Sequence, residues 1–163
     1  MEFKAAVLTK IKKPLEILDN LKLPKLKRGQ VLVKILCSSI CRSQIMEIDG
    51  KRGKDKYIPH LLGHEGSGIV EKIGSGVTKV RLGDKVFLSW IKGFGLDAGG
   101  IKIKNNKQIL NAGPITTFSN YSIVAENRCF LIPKRFPIKR SVIFGCAVPT
   151  GAGIVLNEIK PKK

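Results

Sequence analysis

A short run at residues 30–38 constrains the fold more than any other feature of the sequence. The run is strongly apolar and rich in β-branched residues, and a basic turn that contains Gly29 precedes it. Such a pattern is typical of a buried strand. Similar short runs, bounded by glycine, proline or other turn residues, recur along the chain. We therefore predict strands at residues 3–9, 15–23, 30–38, 67–73, 85–90, 117–125 and 129–132.

The other segments are predicted to be loops or short helices. Residues 50–61 are highly charged and residues 91–114 are rich in glycine, lysine and asparagine, so both are predicted to be surface loops. Helical turns are predicted at residues 43–48, 141–147 and 150–159, with Pro149 separating the last two. The sequence thus predicts a mainly β domain, either a barrel or a sandwich, with short helices and a helical C-terminal tail.

The chain is strongly basic, with 30 lysines and arginines against 12 aspartates and glutamates and a net charge of +18. A charge of this size makes nucleic acid a partner to consider. The basic residues are scattered along the chain, however, with no basic helix, no zinc-finger spacing and few aromatic residues to stack on bases. The pattern therefore argues against nucleic acid and favours a lysine-rich surface.

No apolar run approaches the roughly 20 residues that a membrane span needs. The first residues lack the basic and then apolar layout of a signal peptide. We therefore expect a cytoplasmic protein with no membrane association. Its 163 residues are enough for one domain with its own hydrophobic core.

The four cysteines show no regular spacing and are predicted to be reduced. Cys37 and Cys129 lie within apolar runs, which favours buried hydrophobic roles. Cys41 and Cys146 lie beside small and turn-forming residues, and His64 lies in a loop before a predicted strand. A lone cysteine or histidine more often has a structural role, but two cysteines and one histidine suit a catalytic zinc with an open fourth position. These three residues are therefore candidate ligands of a zinc site that would form only when the domain folds.

Several motifs follow one another along nearly the whole chain. They are Ile-Cys-Arg-Ser at residues 40–43, Gly-His-Glu-Gly-Ser-Gly-Ile-Val-Glu-Lys-Ile-Gly-Ser-Gly-Val at 63–77, Val-Arg-Leu-Gly-Asp-Lys-Val at 80–86, Thr-Phe-Ser-Asn-Tyr at 117–121, and Gly-Cys with Thr-Gly at 145–146 and 150–151. Each motif alone is weak evidence, but their shared order is specific. In that order they resemble the catalytic, GroES-like domain of the zinc-dependent medium-chain alcohol dehydrogenases. The resemblance implies a GroES-like, partly open β-barrel.

The resemblance also implies a set of catalytic residues. One catalytic zinc would be held by Cys41, His64 and Cys146, with its fourth position open for a substrate oxygen. The Ser43 hydroxyl would pass on the proton of the alcohol, although Ser43 could instead cap a helix. Glu65 would lie behind the metal, where a carboxylate can tune the coordination or join it.

The resemblance further implies that NAD(P) takes part. Arg42 matches a position that contacts the cofactor pyrophosphate, and is otherwise one of many surface cations. Thr150 matches a residue that packs on the nicotinamide, and could instead cap a helix that starts at Gly151. The rest of the cofactor site would belong to a Rossmann domain that is absent from this chain. Residues 1–140 would then be the catalytic domain and residues 141–163 a helical linker towards the absent domain.

The chain departs from the family at three places. Gln44 stands where the family usually has an aspartate that orients the metal-binding histidine, so the support of the metal site is altered. Met46 cannot carry a proton, as a histidine at that position does in some relatives, so the proton would need another route. Residues 91–113 contain no cysteine, so the structural zinc site that many relatives carry there is predicted to be absent.

We therefore predict the N-terminal catalytic domain of a zinc-dependent alcohol dehydrogenase, an oxidoreductase that acts on a small alcohol or aldehyde with NAD(P). The chain is expected to be truncated and inactive alone, and a homo-oligomer is expected only for a full-length form. The alternative is a standalone GroES-like module that binds zinc or a partner and has no redox activity.

Overall fold

The computed structural model describes residues 1–105 and 108–162. The strands among them are β1 (Glu2–Leu8), β2 (Glu16–Lys22), β3 (Gln30–Ser38), β4 (His60–Leu61), β5 (Glu65–Ile73), β6 (Lys85–Ser89), β7 (Ile101–Asn105), β8 (Gln108–Ala112), β9 (Tyr121–Ala125) and β10 (Cys129–Leu131). The helices are α1 (Arg42–Ile48), α2 (Ile138–Ser141) and α3 (Ala147–Gly153), with 3₁₀ turns at Glu126–Arg128 and Val142–Gly145 and a π-helical segment at Ile154–Ile159. The predicted mainly β fold with short helices is confirmed.

Within the described residues, the strands form two five-stranded sheets, in the orders β2-β1-β4-β8-β7 and β10-β6-β5-β3-β9. The second sheet is antiparallel throughout, whereas β4 and β8 run parallel in the first. On β3, Val31 and Val33 are fully buried and pack with Val70, Val86 and Val124 from other strands of the same sheet. The β-branched run that dominates the sequence pattern therefore forms the centre of one hydrophobic core.

Strands β7 and β8 contradict the predicted loop at residues 91–114. They pair antiparallel, and Ile103 and Leu110 are buried in the core of the first sheet. Ile-Lys-Ile-Lys alternates apolar and charged residues, which suits an edge strand whose lysines face solvent. The many lysines and glycines nearby mask this alternation in the sequence. The part of the prediction that concerns residues 106 and 107 lies outside the described residues.

The C-terminal tail is helical, as predicted, but it breaks at Cys146 and not at Pro149. The backbone of Cys146 has φ −149° and ψ −59°, outside the helical region, whereas Pro149 lies in the first turn of α3. N–H groups in the first turn have no intrahelical acceptor, so proline is tolerated there. The Ser89 hydroxyl donates a hydrogen bond to the Gly145 carbonyl at 2.7 Å, which attaches the segment before the break to β6.

Among the described residues, no single helix has both the length and the apolar composition that crossing a membrane requires. Two consecutive segments, Ile138–Gly145 and Ala147–Ile159, reach these values only when taken together, and they are bent by 52°. Length and composition are the only features in which this pair matches a membrane span.

Candidate metal centre

The three side chains predicted to bind zinc lie together, although they come from distant parts of the chain. The Sγ atoms of Cys41 and Cys146 and a ring nitrogen of His64 all lie within 4.8 Å of one another. Cys41 precedes α1, His64 precedes β5, and Cys146 precedes α3. Two sulfur atoms on one zinc ion lie about 3.8 Å apart, because each Zn–S bond is about 2.3 Å long. The observed spacing therefore needs only a small adjustment to hold an ion.

Close packing around Gly145 places Cys146. Any side chain at Gly145 would collide with the Leu88 carbonyl oxygen and with the Cβ atom of Glu65. Glycine therefore lets the tail approach β5 and β6 closely. On the other side of Cys146, the Ala147 N–H donates a hydrogen bond to Oε2 of Glu65 at 3.3 Å. These two contacts hold the cysteine between the sheet and α3.

The two ring nitrogens of His64 have different environments. Nδ1 contacts the amide nitrogen of Gln44. Nε2 is buried and has no hydrogen-bond partner among the residues that the structure describes. A buried polar atom without a partner is costly, so such an atom points to a ligand that is still to bind. A ring nitrogen beside two thiols is a donor set that zinc favours, so these residues fit a zinc ion.

The two thiols have pKa values that are shifted in opposite directions. Hydrogen bonds to the side chain and backbone of Ser43 lower the pKa of Cys41. Burial raises the pKa of Cys146, and the neighbouring Cys41 raises it further. Burial lowers the pKa of His64, which favours the neutral ring that a metal requires. The Cys41 thiol therefore loses its proton more readily than the Cys146 thiol, whose ionisation the positive charge of a metal would favour.

Ser43 and Thr150 contact the two thiols and do not cap helices. Cys41 is the N-cap residue of α1, so the alternative in which Ser43 caps this helix is wrong. Thr150 lies inside α3, so the alternative of a helix that starts at Gly151 is also wrong. A hydrogen bond from the Thr150 side chain opposes the upward shift of the Cys146 pKa.

Glu65 and Arg42 differ sharply in burial. Glu65 is 3% exposed at the start of β5, and its negative charge opposes ionisation of Cys41 and Cys146. Arg42 is exposed at the start of α1. The catalytic role of Glu65 and the cofactor role of Arg42 stay predictions.

A second polar group, which is not evident from the sequence, lies near the first. We call Glu47, Asp55 and His60 the carboxylate–histidine group. His60 Nε2 lies 2.8 Å from Asp55 Oδ2 and 3.7 Å from Glu47 Oε1. His60 Nδ1 donates a hydrogen bond to the Leu61 carbonyl at 3.0 Å. The only hint in the sequence is that His60 interrupts a short apolar segment that is predicted to be a loop.

In this second group, hydrogen bonds to Asp55 outweigh the effect of its burial on its pKa. Burial opposes ionisation of Asp55, but the Tyr57 N–H and His60 hold the pKa of Asp55 below its ordinary value. A cavity of about 550 Å³ connects this group with the metal centre, because Glu47, His60, Gln44 and His64 all line it.

Comparisons with known proteins agree on one family. The family model described as "Alcohol dehydrogenase GroES-like domain" matches residues 27–134. An alcohol dehydrogenase class-3 from Caenorhabditis elegans is 32% identical, over 96% of this chain and 47% of that protein. The structure of benzyl alcohol dehydrogenase from Acinetobacter calcoaceticus matches with a TM-score of 0.81 and 29% identity, over 98% of this chain and 49% of that one. The chain spans about half the length of the curated relatives it matches.

Proposed function

The chain belongs to the alcohol dehydrogenase GroES-like domain family, as its motifs predict, and on this premise we propose that it provides the catalytic domain of a zinc-dependent alcohol dehydrogenase. The predicted GroES-like fold is confirmed by the match to solved alcohol dehydrogenases. One observation supports the proposal above all others. A buried ring nitrogen of His64, without a partner among the described residues, belongs to a group of potential metal ligands that includes two thiols.

Each residue of the site would have a distinct task. Cys41 and Cys146 would bind as thiolates, so that their two negative charges balance the charge of the ion. A zinc ion bound there would act as a Lewis acid that polarises the oxygen of an alcohol or carbonyl substrate. Ser43 Oγ, which lies beside Cys41, would accept the proton of the alcohol and pass its own proton onward. Glu65 would hold the backbone of Ala147 and so keep Cys146 in place.

The cofactor would be NAD(P), and the substrate a small alcohol or aldehyde. Arg42 would contact the pyrophosphate and Thr150 the nicotinamide, as the family resemblance implies, and both side chains are exposed. A dinucleotide-binding domain outside these residues would hold most of the cofactor. In this scheme residues 1–140 form the catalytic unit and residues 141–163 lead towards the second domain. A cytoplasmic location and a homo-oligomer of a longer form belong to the same proposal.

The alternative is a standalone module that binds zinc without catalysis. The two functions differ in whether the fourth metal position is open, because structural zinc sites are closed by protein ligands and catalytic sites are not. No fourth cysteine, histidine or carboxylate joins the three ligands among the residues that the structure describes. This observation favours the catalytic function.

Cobalt substitution tests the proposal. The chain would be loaded with Co²⁺ and its visible absorption recorded while a primary alcohol, an aldehyde or imidazole is added. An open position predicts saturable spectral changes with at least one of these ligands. The Cys37→Ser variant serves as a control, because Cys37 lies outside the group, and it should respond as the original chain does. A spectrum that no ligand changes would favour the closed module.

A further inference from the structure

The side chain of Gln44 joins two of the three metal-ligand residues and is almost fully buried, with 2% of its surface exposed. Its Oε1 atom accepts a hydrogen bond from the backbone N–H of Cys41 at 2.8 Å. Its Nε2 atom contacts Nδ1 of His64. The Cys41 N–H can only donate, so it fixes which end of the amide is the oxygen. The NH₂ group of Gln44 must therefore face His64.

This orientation decides the tautomer of His64. An amide NH₂ group only donates, so Nδ1 must accept and cannot carry a proton. A neutral imidazole has one proton, which then lies on Nε2, the buried atom without a partner among the described residues. A metal at Nε2 needs the opposite tautomer, with the proton on Nδ1. Nδ1 is not available as the ligand atom, because Gln44 covers it.

We propose that Gln44 holds metal-free His64 in a tautomer that does not bind metal, and that the Gln44 amide turns over when metal binds. On binding, one proton leaves Nε2 and one is taken up at Nδ1. Oε1 of the turned Gln44 amide would accept a hydrogen bond from the new N–H at Nδ1 of His64. The NH₂ group of Gln44 would then face the Cys41 N–H. The hydrogen bond to Cys41 is lost, because both groups are donors. The cavity of about 550 Å³ that Gln44 and His64 line gives solvent a route to this proton.

The consequence is a metal site weaker than one supported by a carboxylate. A carboxylate accepts hydrogen bonds at both oxygens, so it could serve the Cys41 N–H and a protonated Nδ1 together. Gln44 can serve only one of them at a time. It is therefore a positioning residue that acts on the metal through His64 and Cys41. The inference rests on the proposed function for the identity of the metal site.

Nitrogen NMR of the metal-free chain tests the tautomer directly. The chain has two histidines, so a ¹⁵N-histidine sample and the His60→Gln variant suffice to assign the four ring nitrogens. At a pH where the ring of His64 is neutral, we expect a protonated Nε2 and an unprotonated Nδ1. The Gln44→Glu variant should move the proton to Nδ1. A proton on Nδ1 of His64 in the original chain would overturn the inference.

Zinc affinity, measured by competition with a chromophoric chelator, tests the consequence. Gln44→Glu should bind zinc at least about 10-fold more tightly than the original chain. Gln108→Glu adds the same charge at an exposed position at the start of β8 and should not change the zinc affinity. In Gln44→Met, a side chain of similar length makes no hydrogen bond to His64, so His64 can adopt either tautomer. This variant should bind zinc at least as tightly as the original chain. If Gln44 merely supported the ligands, this variant would bind about 10-fold to 100-fold more weakly, which would overturn the inference.

The failures of the two proposals are distinguishable. If neither the original chain nor any variant binds zinc, the proposed function fails, and the NMR spectrum alone decides the tautomer. If zinc binds but Gln44→Met weakens it, the proposed function stands and the inference fails. Gln44→Glu and the spectrum of the original chain decide the matter if Gln44→Met does not fold.

Discussion

The two histidines of this chain lie in neighbouring polar groups whose hydrogen bonds are complete in one and incomplete in the other. In the carboxylate–histidine group, His60 is 7% exposed and both of its ring nitrogens have partners, Asp55 and the Leu61 carbonyl. In the metal-ligand group, formed by Cys41, His64 and Cys146, Nε2 of His64 has no partner among the described residues. A buried polar group with all its hydrogen-bond partners stabilises a fold, whereas a buried polar group that lacks a partner lowers the stability of the fold. The comparison separates a structural group from a group kept for a ligand.

The largest expected effect is on metal binding by the metal-ligand group. Cys146→Ser should weaken zinc binding roughly 100-fold to 1,000-fold, because structural zinc sites gain about 10–16 kcal/mol from four ligands, which is about 2.5–4 kcal/mol for each ligand. Cys37→Ser should leave the affinity unchanged, since Cys37 is outside the group. Isothermal titration with a competing chelator measures both. Equal affinities of the two variants would remove Cys146 from the site and break the comparison.

A matched pair of variants tests the stability side of the comparison. His60→Leu should lower the free energy of unfolding of the metal-free chain by about 1–3 kcal/mol, because it leaves the half-buried Asp55 carboxylate without its His60 partner. His64→Leu should lower that free energy by less, about 1 kcal/mol, because it removes the unpartnered Nε2 atom together with the Nδ1 acceptor of the Gln44 amide. Urea unfolding of both variants, with zinc affinity in parallel, measures the contrast. Zinc binding should be lost in His64→Leu and kept in His60→Leu; the reverse pattern would refute the assignment.

The free energy of unfolding should depend on pH partly through the ionisation of Asp55. Its pKa is lowered in the folded chain, although burial opposes this shift. A carboxyl group with a lowered folded pKa stabilises the fold above its unfolded pKa, here about 3.8, and this stability is lost as the pH falls through the folded pKa. Between about pH 5 and pH 2, Asp55→Asn should therefore lose less unfolding free energy than the original chain. Asp19→Asn, at an exposed ion pair, is the control that should follow the original chain.

The smallest expected effect concerns the reactivity of the thiols. Hydrogen bonding to Ser43 lowers the pKa of Cys41, whereas burial raises the pKa of Cys129 to about 12. In the metal-free chain, iodoacetamide should therefore alkylate Cys41 faster than Cys129. Ser43→Ala should slow the alkylation of Cys41 a few-fold at neutral pH, as followed by mass spectrometry. An unchanged rate in this variant would show that the Ser43 hydroxyl does not act on the thiol.

The sequence predicts those parts of the fold that depend on local pattern. The run at residues 30–38 forms β3 with the predicted bounds, because its β-branched residues favour a strand, although only its first half is fully buried. The antiparallel pair of β7 and β8 was not predicted, since its alternation is short and lies among lysines and glycines. The predicted position of the helix break is also wrong. The contacts of Gly145 with the sheet, and not Pro149, determine where the helix ends.

The candidate site is predictable only as far as its motifs extend. The motifs identify Cys41, His64 and Cys146 in the sequence, and the structure brings these three residues together. Gln44 is visible in the sequence as a departure, but its contacts to Cys41 and His64 depend on tertiary structure. The carboxylate–histidine group has no motif, since a helix, a loop and a two-residue strand each supply one member.

Elemental analysis of zinc in the folded chain tests the central claim most directly. The chain would be purified, washed with chelator, reloaded with zinc and freed of excess metal, with its fold checked by circular dichroism. The account predicts about one zinc ion per chain, held by Cys41, His64 and Cys146. A folded chain that retains no zinc, or one that retains the same amount in a Cys41→Ser/Cys146→Ser double variant, would contradict it.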